Sequence, residues 1–333
     1  MKSLRGKLQS SVALVLATTA IAGITGTSTA AETATVVGAG PGAGAYQMAG
    51  AMAENVNRLK LGVTVTNRAT QGFVANTRMV ETGGTQFALT NGIFVYSAQN
   101  GRKPFDEMKA KSIRGIGPVS TSWFQMAVVK SSGIKSYMDL KGKRVNYAAK
   151  GSNTEFMTRT IFEQLGIGDT IQKEYMRWDQ AATSMTDGNI AAFGIPNPVP
   201  SPSILQASAS TPVRILPLPE KVIKYFVDSN PGYYRDTVAA GSYAGMENEG
   251  FATVAYTIFL TANADKVSDE LAYKITKATY DETNREFMIN AFKAWEIGLK
   301  SAKTDAFLKQ MKAFGMELHP GAARYWKERG LLQ

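Results

Sequence analysis

The sequence contains no cysteine and a single histidine. Without cysteine the chain has no disulfide, no thiolate metal site and no cysteine nucleophile. One histidine is too few for a histidine-based metal site, and no cluster of aspartate and glutamate takes its place. His319 precedes Pro320 in a pattern typical of a helix start, which favours a structural role. We therefore expect no metal and no cofactor.

Motifs for common catalytic sites are also missing. The sequence has no G-x-S-x-G nucleophile turn, no Walker A phosphate loop and no H-E-x-x-H zinc motif, so we expect no catalytic residues. The formal net charge is +10, which favours anionic ligands or surfaces. No dense run of lysine and arginine occurs, and we therefore expect no nucleic-acid partner.

A long apolar segment is found only near the N-terminus. Basic residues precede an apolar run over residues 12–24, and small residues follow it. This layout is typical of a secretory signal peptide over residues 1–31, with cleavage after Ala30 or Ala31. The run is shorter than the roughly 20 residues of a membrane-spanning helix. We expect a mature chain that is exported and has no transmembrane span.

Strand and helix patterns alternate along the rest of the chain. Strand-like segments at 35–37, 63–66 and 87–90 are separated by helical patterns at 46–59 and 72–80. This alternation predicts an α/β fold with a parallel sheet covered by helices.

A second series of the same kind begins near residue 124, and a Pro-rich loop over residues 196–202 follows it. From residue 268 onward the pattern is helical. The two series predict two lobes, one formed by residues 32–120 plus 257–333 and the other by residues 121–256.

The loop over residues 38–43 matches the dinucleotide-binding pattern G-x-G-x-x-A. The second strand ends without an acid to hold a ribose, although Arg68 there suits a 2′-phosphate. Backbone N–H groups at a helix start also bind other carboxylates and phosphates. Three interpretations stay open: a dinucleotide site in an exported oxidoreductase, an anion site, and a tight turn without a ligand.

Polar residues follow several strands where helices begin. Singly, each is typical of a helix cap, but ligands of open α/β sheets bind beyond the carboxyl ends of strands. We expect the junctions of both lobes to meet in one cleft. The candidate ligand-binding residues from this argument are Gly40, Gly42, Thr70, Gln71, Gly72, Asn91, Ser152, Asn153 and Thr154.

Longer motifs resemble one family. Residues 133–145 contain G-I-K-S and D-L-K-G-K-R-V, residues 151–155 read G-S-N-T-E, and residues 318–325 read L-H-P-G-A-A-R-Y. Together they resemble the TAXI-type solute receptors of tripartite ATP-independent periplasmic (TRAP) transporters, over nearly the whole mature chain. The resemblance implies a periplasmic, two-lobed binding protein of the type II-like fold, with the ligand in the inter-lobe cleft and a helical C-terminal segment. It also implies small and large integral-membrane partner subunits.

The same resemblance implies that the ligand is a small organic anion, such as glutamate or a mono- or dicarboxylate. It adds Tyr46 and Asn197 to the candidate residues, and Arg68 or Lys150 is expected to supply a positive charge. The sequence departs from the family where Asn91 follows the third strand, and at Lys150 and Asn153. These departures lie near the expected cleft and leave room for a ligand other than glutamate.

Other functions suit the same features. The chain could be the binding component of an ABC importer or of a tripartite tricarboxylate transporter, since the D-L-K-G-K-R-V motif is shared among periplasmic binding proteins. A sensor lobe that passes the signal of a bound ligand to a partner would use the same cleft.

Overall fold

A computed structural model describes residues 32–229 and 232–332 of the chain. The predicted signal peptide and its cleavage site lie outside these residues. Within them, no helix has the length and apolar character needed to cross a membrane.

Ten strands of the described residues belong to one sheet. They are β1 (Glu32–Val37), β2 (Val63–Arg68), β3 (Phe87–Asn91), β4 (Ile113–Val129), β5 (Arg144–Asn146), β6 (Gln172–Glu174), β7 (Ala192–Asn197), β8 (Val213–Ile215), β9 (Tyr234–Val238) and β10 (Phe251–Asn263).

Helices fill most connections between the strands. They are α1 (Gly44–Arg58), α2 (Phe73–Glu81), α3 (Gly92–Gln99), α4 (Asn153–Leu165), α5 (Trp178–Thr186), α6 (Pro202–Ser210), α7 (Glu220–Ser229), α8 (Asp269–Tyr280), α9 (Arg285–Ala291), α10 (Trp295–Ser301), α11 (Ala306–Ala313) and α12 (Pro320–Glu328).

The strand order is β2-β1-β3-β10-β4-β7-β5-β6, with β8 added to β4 and β9 to β10. At one end β1 runs parallel to β2 and β3, and at the other end β5 runs parallel to β6 and β7. We call the part built on β1–β3 the first lobe and the part built on β5–β9 the second lobe. The predicted α/β architecture with two parallel strand series is confirmed.

Two long antiparallel strands, β4 and β10, run through both lobes. Residues 113–123 of β4 pair with β10, whereas residues 123–129 pair with β7 and β8. The ladder between β4 and β10 has a register shift after Ile258, opposite Ser120 and Pro118. Such an irregularity bends a strand, so the chain changes direction where it passes between the lobes.

The predicted helices at the C-terminus are confirmed, and they contact α1 and β4. Asn55 of α1 donates its side-chain amide to the carbonyl of Ala278 at 2.6 Å. The indole of Trp326 in α12 donates to the carbonyl of Ile116 in β4 at 2.8 Å. His319 is buried and caps α12 by accepting the N–H of Gly321, which confirms its structural role.

The predicted Pro-rich loop over residues 196–202 was wrong at both ends. Pro196 lies in strand β7, and Pro202 is the first residue of helix α6. Proline fits this position because the first turn of a helix leaves its N–H groups without helical acceptors. A high local proline content does not distinguish a proline at a helix start from a proline in a loop.

Candidate functional site: the inter-lobe cavity

A small cavity of about 20 Å³ lies where the two lobes meet. The first lobe contributes the loops that follow β1 and β2, with Ala39, Ala43, Ala45, Gln71, Gly72 and Phe73. The second lobe contributes the helix starts and the end of β7, with Ser152, Asn153, Thr154, Trp178, Pro196 and Asn197. Tyr256 of β10 completes the wall.

The N-terminus of α4 forms one side of this cavity. Ser152 is the N-cap, and its hydroxyl oxygen accepts the N–H of Glu155 at 3.2 Å. The carboxylate of Glu155 in turn accepts the N–H of Gly151. The hydroxyl hydrogen of Ser152 remains available as a donor, and the first N–H groups of α4 have no acceptor within the helix. This side of the wall therefore presents hydrogen-bond donors and a partial positive charge.

Asn153 and Tyr256 connect α4 to a crossing strand. The side-chain amide of Asn153 donates to the hydroxyl of Tyr256 at 2.7 Å, and both side chains are buried. The other amide atom of Asn153 has no partner among the described residues. Burial raises the pKa of Tyr256, so its hydroxyl stays neutral. The Tyr256 ring packs edge-on against Phe73, with 6.2 Å between centroids.

Trp178, the first residue of α5, reaches from the second lobe onto the first. A Cβ atom built on Gly40 would lie 3.4 Å from the indole, and one on Gly72 would lie 3.9 Å from it. The indole therefore packs on glycine backbone of two first-lobe loops. Only 6% of Trp178 is exposed. Within the described part of the chain, its N–H has no acceptor.

Trp178 also lines an outer groove. That groove is lined by the loops after β1, β2 and β5 and by the start of α5, and its lining includes Gly40, Thr70, Ala148, Arg177 and Trp178. Gln71 and Trp178 line both spaces, so the groove adjoins the cavity.

Asn197 lies at the seam between the lobes, which is the contact of residues 42–44 with residues 197–203. Its side-chain oxygen accepts the N–H of Gly44, the first residue of α1, at 2.7 Å. Its side-chain nitrogen donates to the hydroxyl of Ser201 at 2.8 Å, and its carbonyl accepts from Gln125 at 3.0 Å. The side chain is thereby held by two hydrogen bonds, and the backbone of Asn197 by a third. A residue of the second lobe satisfies a free N–H at the start of a first-lobe helix.

A second contact follows along the same seam. The hydroxyl of Ser203 donates to the carbonyl of Gly42. A Cβ atom on Gly42 would lie 2.8 Å from that hydroxyl oxygen and 2.9 Å from the backbone nitrogen of Asp179. The glycine-rich loop is therefore covered by second-lobe atoms at the place where a dinucleotide would put its pyrophosphate. This geometry speaks against the dinucleotide interpretation.

A buried asparagine positions the loops of the first lobe. The Asn76 amide donates to the carbonyls of Gly38, at 2.5 Å, and Leu89, at 2.7 Å. Its oxygen accepts the hydroxyl of Thr70 at 2.6 Å, and Thr70 also accepts the N–H of Gly72 at 3.2 Å. The Thr70 hydroxyl is already used inside the lobe, so it organises the loop at the outer groove.

The structure brings most of the sequence-predicted residues together. Those in the cavity wall are Gln71, Gly72, Ser152, Asn153, Thr154 and Asn197. Gly40 and Thr70 line the adjoining outer groove, and Gly42 lies on the seam. Ligand binding by these residues stays a prediction.

Other predicted residues lie outside the cavity wall. Asn91 is buried and caps α3 by accepting the N–H of Phe94 at 2.9 Å. The carbonyl of Tyr46 accepts from Asn67 at 3.1 Å. Arg68 is exposed, and the ammonium group of Lys150, also exposed, lies 4.9 Å from the centroid of the Tyr175 ring. Neither cation belongs to the wall of the cavity.

Sequence reasoning missed the aromatic part of the wall, namely Phe73, Trp178 and Tyr256. Phe73 and Trp178 each follow a strand and open a helix, at the kind of junction where polar candidates were sought. An aromatic residue at such a junction was the available signal. Tyr256 lies within an apolar strand, and nothing in the local pattern separates it from core.

The described residues contain no group of three or more His, Asp or Glu side chains placed to hold a metal ion. The site is instead built from amides, hydroxyls, an indole and helix starts.

The sequence matches the NMT1-like family over residues 36–330. The chain belongs to the NMT1-like family. Among solved structures, this member resembles one described as a periplasmic transporter, with a TM-score of 0.51, 14% identity, and coverage of 90% of this chain and 98% of that chain. The likeness establishes a two-lobed fold of the periplasmic-binding-protein kind.

Two further structures match this NMT1-like chain more loosely. The aliphatic sulphonate binding protein SsuA from Escherichia coli gives a TM-score of 0.41 at 17% identity, over 90% of this chain and 79% of that one. An ancestral arginine-binding protein bound to arginine gives a TM-score of 0.47 at 17% identity, over 79% of this chain and 97% of that one.

Proposed function

We propose that the chain is a periplasmic solute-binding protein that captures a small organic anion between its lobes. The observation that carries this proposal is the cavity at the seam, whose wall is supplied by both lobes and by a crossing strand. A site shared by two lobes couples ligand binding to their closure, because the ligand contacts both sides only in the closed form.

The proposed lobes are residues 32–120 plus 257–333, and residues 121–256. Both boundaries fall at or beside the irregularity in the β4–β10 ladder, which supports bending there. The proposed ligand contacts are the wall residues Gln71, Gly72, Ser152, Asn153, Thr154 and Asn197. Each offers a side-chain polar group or a backbone N–H near a helix start.

Delivery to a TRAP-type transporter is the finer part of the proposal, and it rests on the sequence motifs at residues 133–145, 151–155 and 318–325. The closed, loaded protein would dock on the small and large membrane subunits and release the anion to them. Residues 1–31 would direct export to the periplasm and be removed there.

A thermal-shift screen tests the binding function. The purified protein is heated with mono- and dicarboxylates, amino acids, nicotinamide dinucleotides and flavins. A ligand at a hundred times its Kd adds about 2.7 kcal/mol of stability, so we expect a raised Tm with a small acid. A shift with NADP or a flavin alone would overturn the proposal.

Transport needs its own measurement. Proteoliposomes that contain the small and large TRAP subunits are expected to take up the identified acid only when this protein is added. Uptake that instead requires an ATP-driven importer would retain the binding function and remove the TRAP assignment.

A further inference from the structure

The cavity wall contains no charged side chain. Its polar groups are the neutral amides of Gln71, Asn153 and Asn197, the hydroxyls of Ser152 and Thr154, and the indole of Trp178. The one titratable group among the wall residues is Tyr256, whose pKa is raised by burial. The wall is therefore electrically neutral at physiological pH.

Charged residues on the neighbouring loops are engaged elsewhere. Arg177 forms a two-point ion pair with Asp179, with N–O distances of 3.2 and 2.9 Å. Glu155 accepts the backbone N–H of Gly151, and Lys150 lies over the ring of Tyr175.

The wall nevertheless favours one negative charge. Helices α2 and α4 both begin in it, at Phe73 and Asn153, so their partial positive ends lie at the cavity. An independent feature points the same way. Trp178 is only 6% exposed, and its indole N–H has no acceptor among the residues described. A buried donor without a partner is costly, and an acidic group of the ligand would supply the acceptor.

A second charge on the ligand has no match. A second carboxylate would need a cation, and an ammonium group would need an anion, but the wall offers neither. Burying an unpaired charge is strongly unfavourable. The remaining surface, including Ala39, Phe73 and the ring of Tyr256, suits an uncharged portion of the ligand.

We infer that the cargo is a small acid with a single negative charge and an uncharged remainder, whose acidic group is bound by the Trp178 N–H, the Ser152 hydroxyl and the start of α4. This inference rests on the proposed binding function and narrows it. It separates such monoacids from the dicarboxylates and zwitterionic amino acids that the sequence motifs also allow.

Calorimetric titration of the purified protein with matched probes tests the inference. One set shares the five-carbon chain: pentanoate, glutarate, norvaline and pentanamide, with the 2-oxo and 2-hydroxy analogues of pentanoate and glutarate. A second set shares the phenylacetic skeleton: phenylacetate, phenylglycine and phenylacetamide. We expect at least one monocarboxylate to bind at least tenfold more tightly than its dicarboxylate, amino-acid and amide counterparts.

The possible failures are distinguishable. If a dicarboxylate or amino acid binds as tightly as its matched monocarboxylate, the narrowed ligand class is wrong while the proposed binding function stands. If the amide binds as tightly as the acid, the negative charge is not recognised. If none of the acids, here or in the thermal screen, binds at all, the proposed function itself fails.

A pair of tryptophan variants tests how the acidic group is bound. Trp178→Phe removes the unpartnered N–H and keeps an aromatic ring at position 178. Trp123→Phe removes an indole N–H that donates to Asp236 at 2.9 Å and is not in the cavity wall. Loss of a hydrogen bond to a charged group corresponds to roughly tenfold or more in affinity. We expect that loss in Trp178→Phe and less than a twofold change in Trp123→Phe; equal affinities would overturn the assignment of Trp178.

Discussion

The side-chain oxygen of Asn197 in the second lobe accepts the backbone N–H of Gly44, the first residue of helix α1 in the first lobe, at 2.7 Å. The bond is buried, and it satisfies a donor that the helix itself leaves free. It exists only while the lobes are together, so it stabilises the closed form relative to the open one.

Asn197→Ala is expected to weaken ligand binding by favouring the open form. The loss of a buried hydrogen bond corresponds to about 1–3 kcal/mol, or roughly fivefold to more than a hundredfold in Kd. Calorimetric titration with the acid identified in the thermal screen measures this change.

The matched control is Asn57→Ala. Asn57 exchanges two hydrogen bonds with Val65, both inside the first lobe. This variant should lose stability without a change in Kd. If Asn57→Ala and Asn197→Ala alter the affinity equally, the seam does not govern closure.

Gly42→Ala tests the close approach of the lobes. Gly42 has a φ of +85°, and a Cβ there would lie within 2.9 Å of second-lobe atoms. Gly62 has a similar φ of +76°, but a Cβ there meets nothing within 4 Å. Backbone strain should lower the free energy of unfolding of both variants by about 1–2 kcal/mol. Urea denaturation without ligand measures this loss. Only Gly42→Ala should also bind the acid more weakly, and unchanged affinity would contradict the closed seam.

Ser152→Ala is expected to affect both stability and binding. Removing an N-cap costs about 1 kcal/mol, and removing a donor from the cavity weakens ligand binding. Ser268→Ala is the control, because Ser268 caps α8 by accepting from Leu271 at 3.1 Å, outside the cavity wall. Both variants should show the same drop in Tm without ligand, and only Ser152→Ala should raise Kd. An equal Kd in the two variants would mean that Ser152 acts only as a cap.

His319 should make folding stability depend on pH. Burial lowers its pKa below the usual value, an effect partly opposed by its bond to the carbonyl of Val267 at 3.0 Å. The unfolded chain therefore binds a proton more readily than the folded chain. The contribution of neutral His319 to the free energy of unfolding is fully present above the unfolded pKa of about 6.5. It is lost as the pH falls from there through the lower folded pKa.

Denaturation curves between about pH 7.5 and 5 measure this effect, in a range above the titration of ordinary carboxylates. No other histidine contributes, since the sequence has only one. His319→Gln should be less stable but nearly independent of pH over this range. If the stability of His319→Gln still falls as the pH drops, groups other than His319 cause the effect.

The sequence predicted the α/β architecture and five of the thirteen residues that line the cavity for the same physical reason. Ser152 and Thr154 lie where a strand ends and a helix begins, and a cap at such a junction is encoded within a few residues. The carboxyl ends of parallel strands then bring separate junctions together. Local rules therefore identified residues from both lobes.

What the sequence could not supply are the relationships between the lobes. The loop around Gly42 has the same pattern whether it approaches a pyrophosphate or the hydroxyl of Ser203, because both need backbone without a side chain. The start of a helix at Trp178 can be read from the sequence, but its contact with the glycine backbone of the first lobe cannot. Lys150 is near the site in sequence, but its side chain turns toward Tyr175, a direction that side-chain packing decides.

The position of β10 in the sheet has a consequence for synthesis. This strand lies between β3 and β4, yet it is formed by residues 251–263, which are translated long after both neighbours. Until those residues emerge, the first lobe lacks the middle of its sheet and must leave apolar strand edges unpaired. Non-local pairing of this kind slows folding. A nascent chain would therefore remain unfolded while most of it is being made, which is the state in which a protein can be threaded through a narrow export channel.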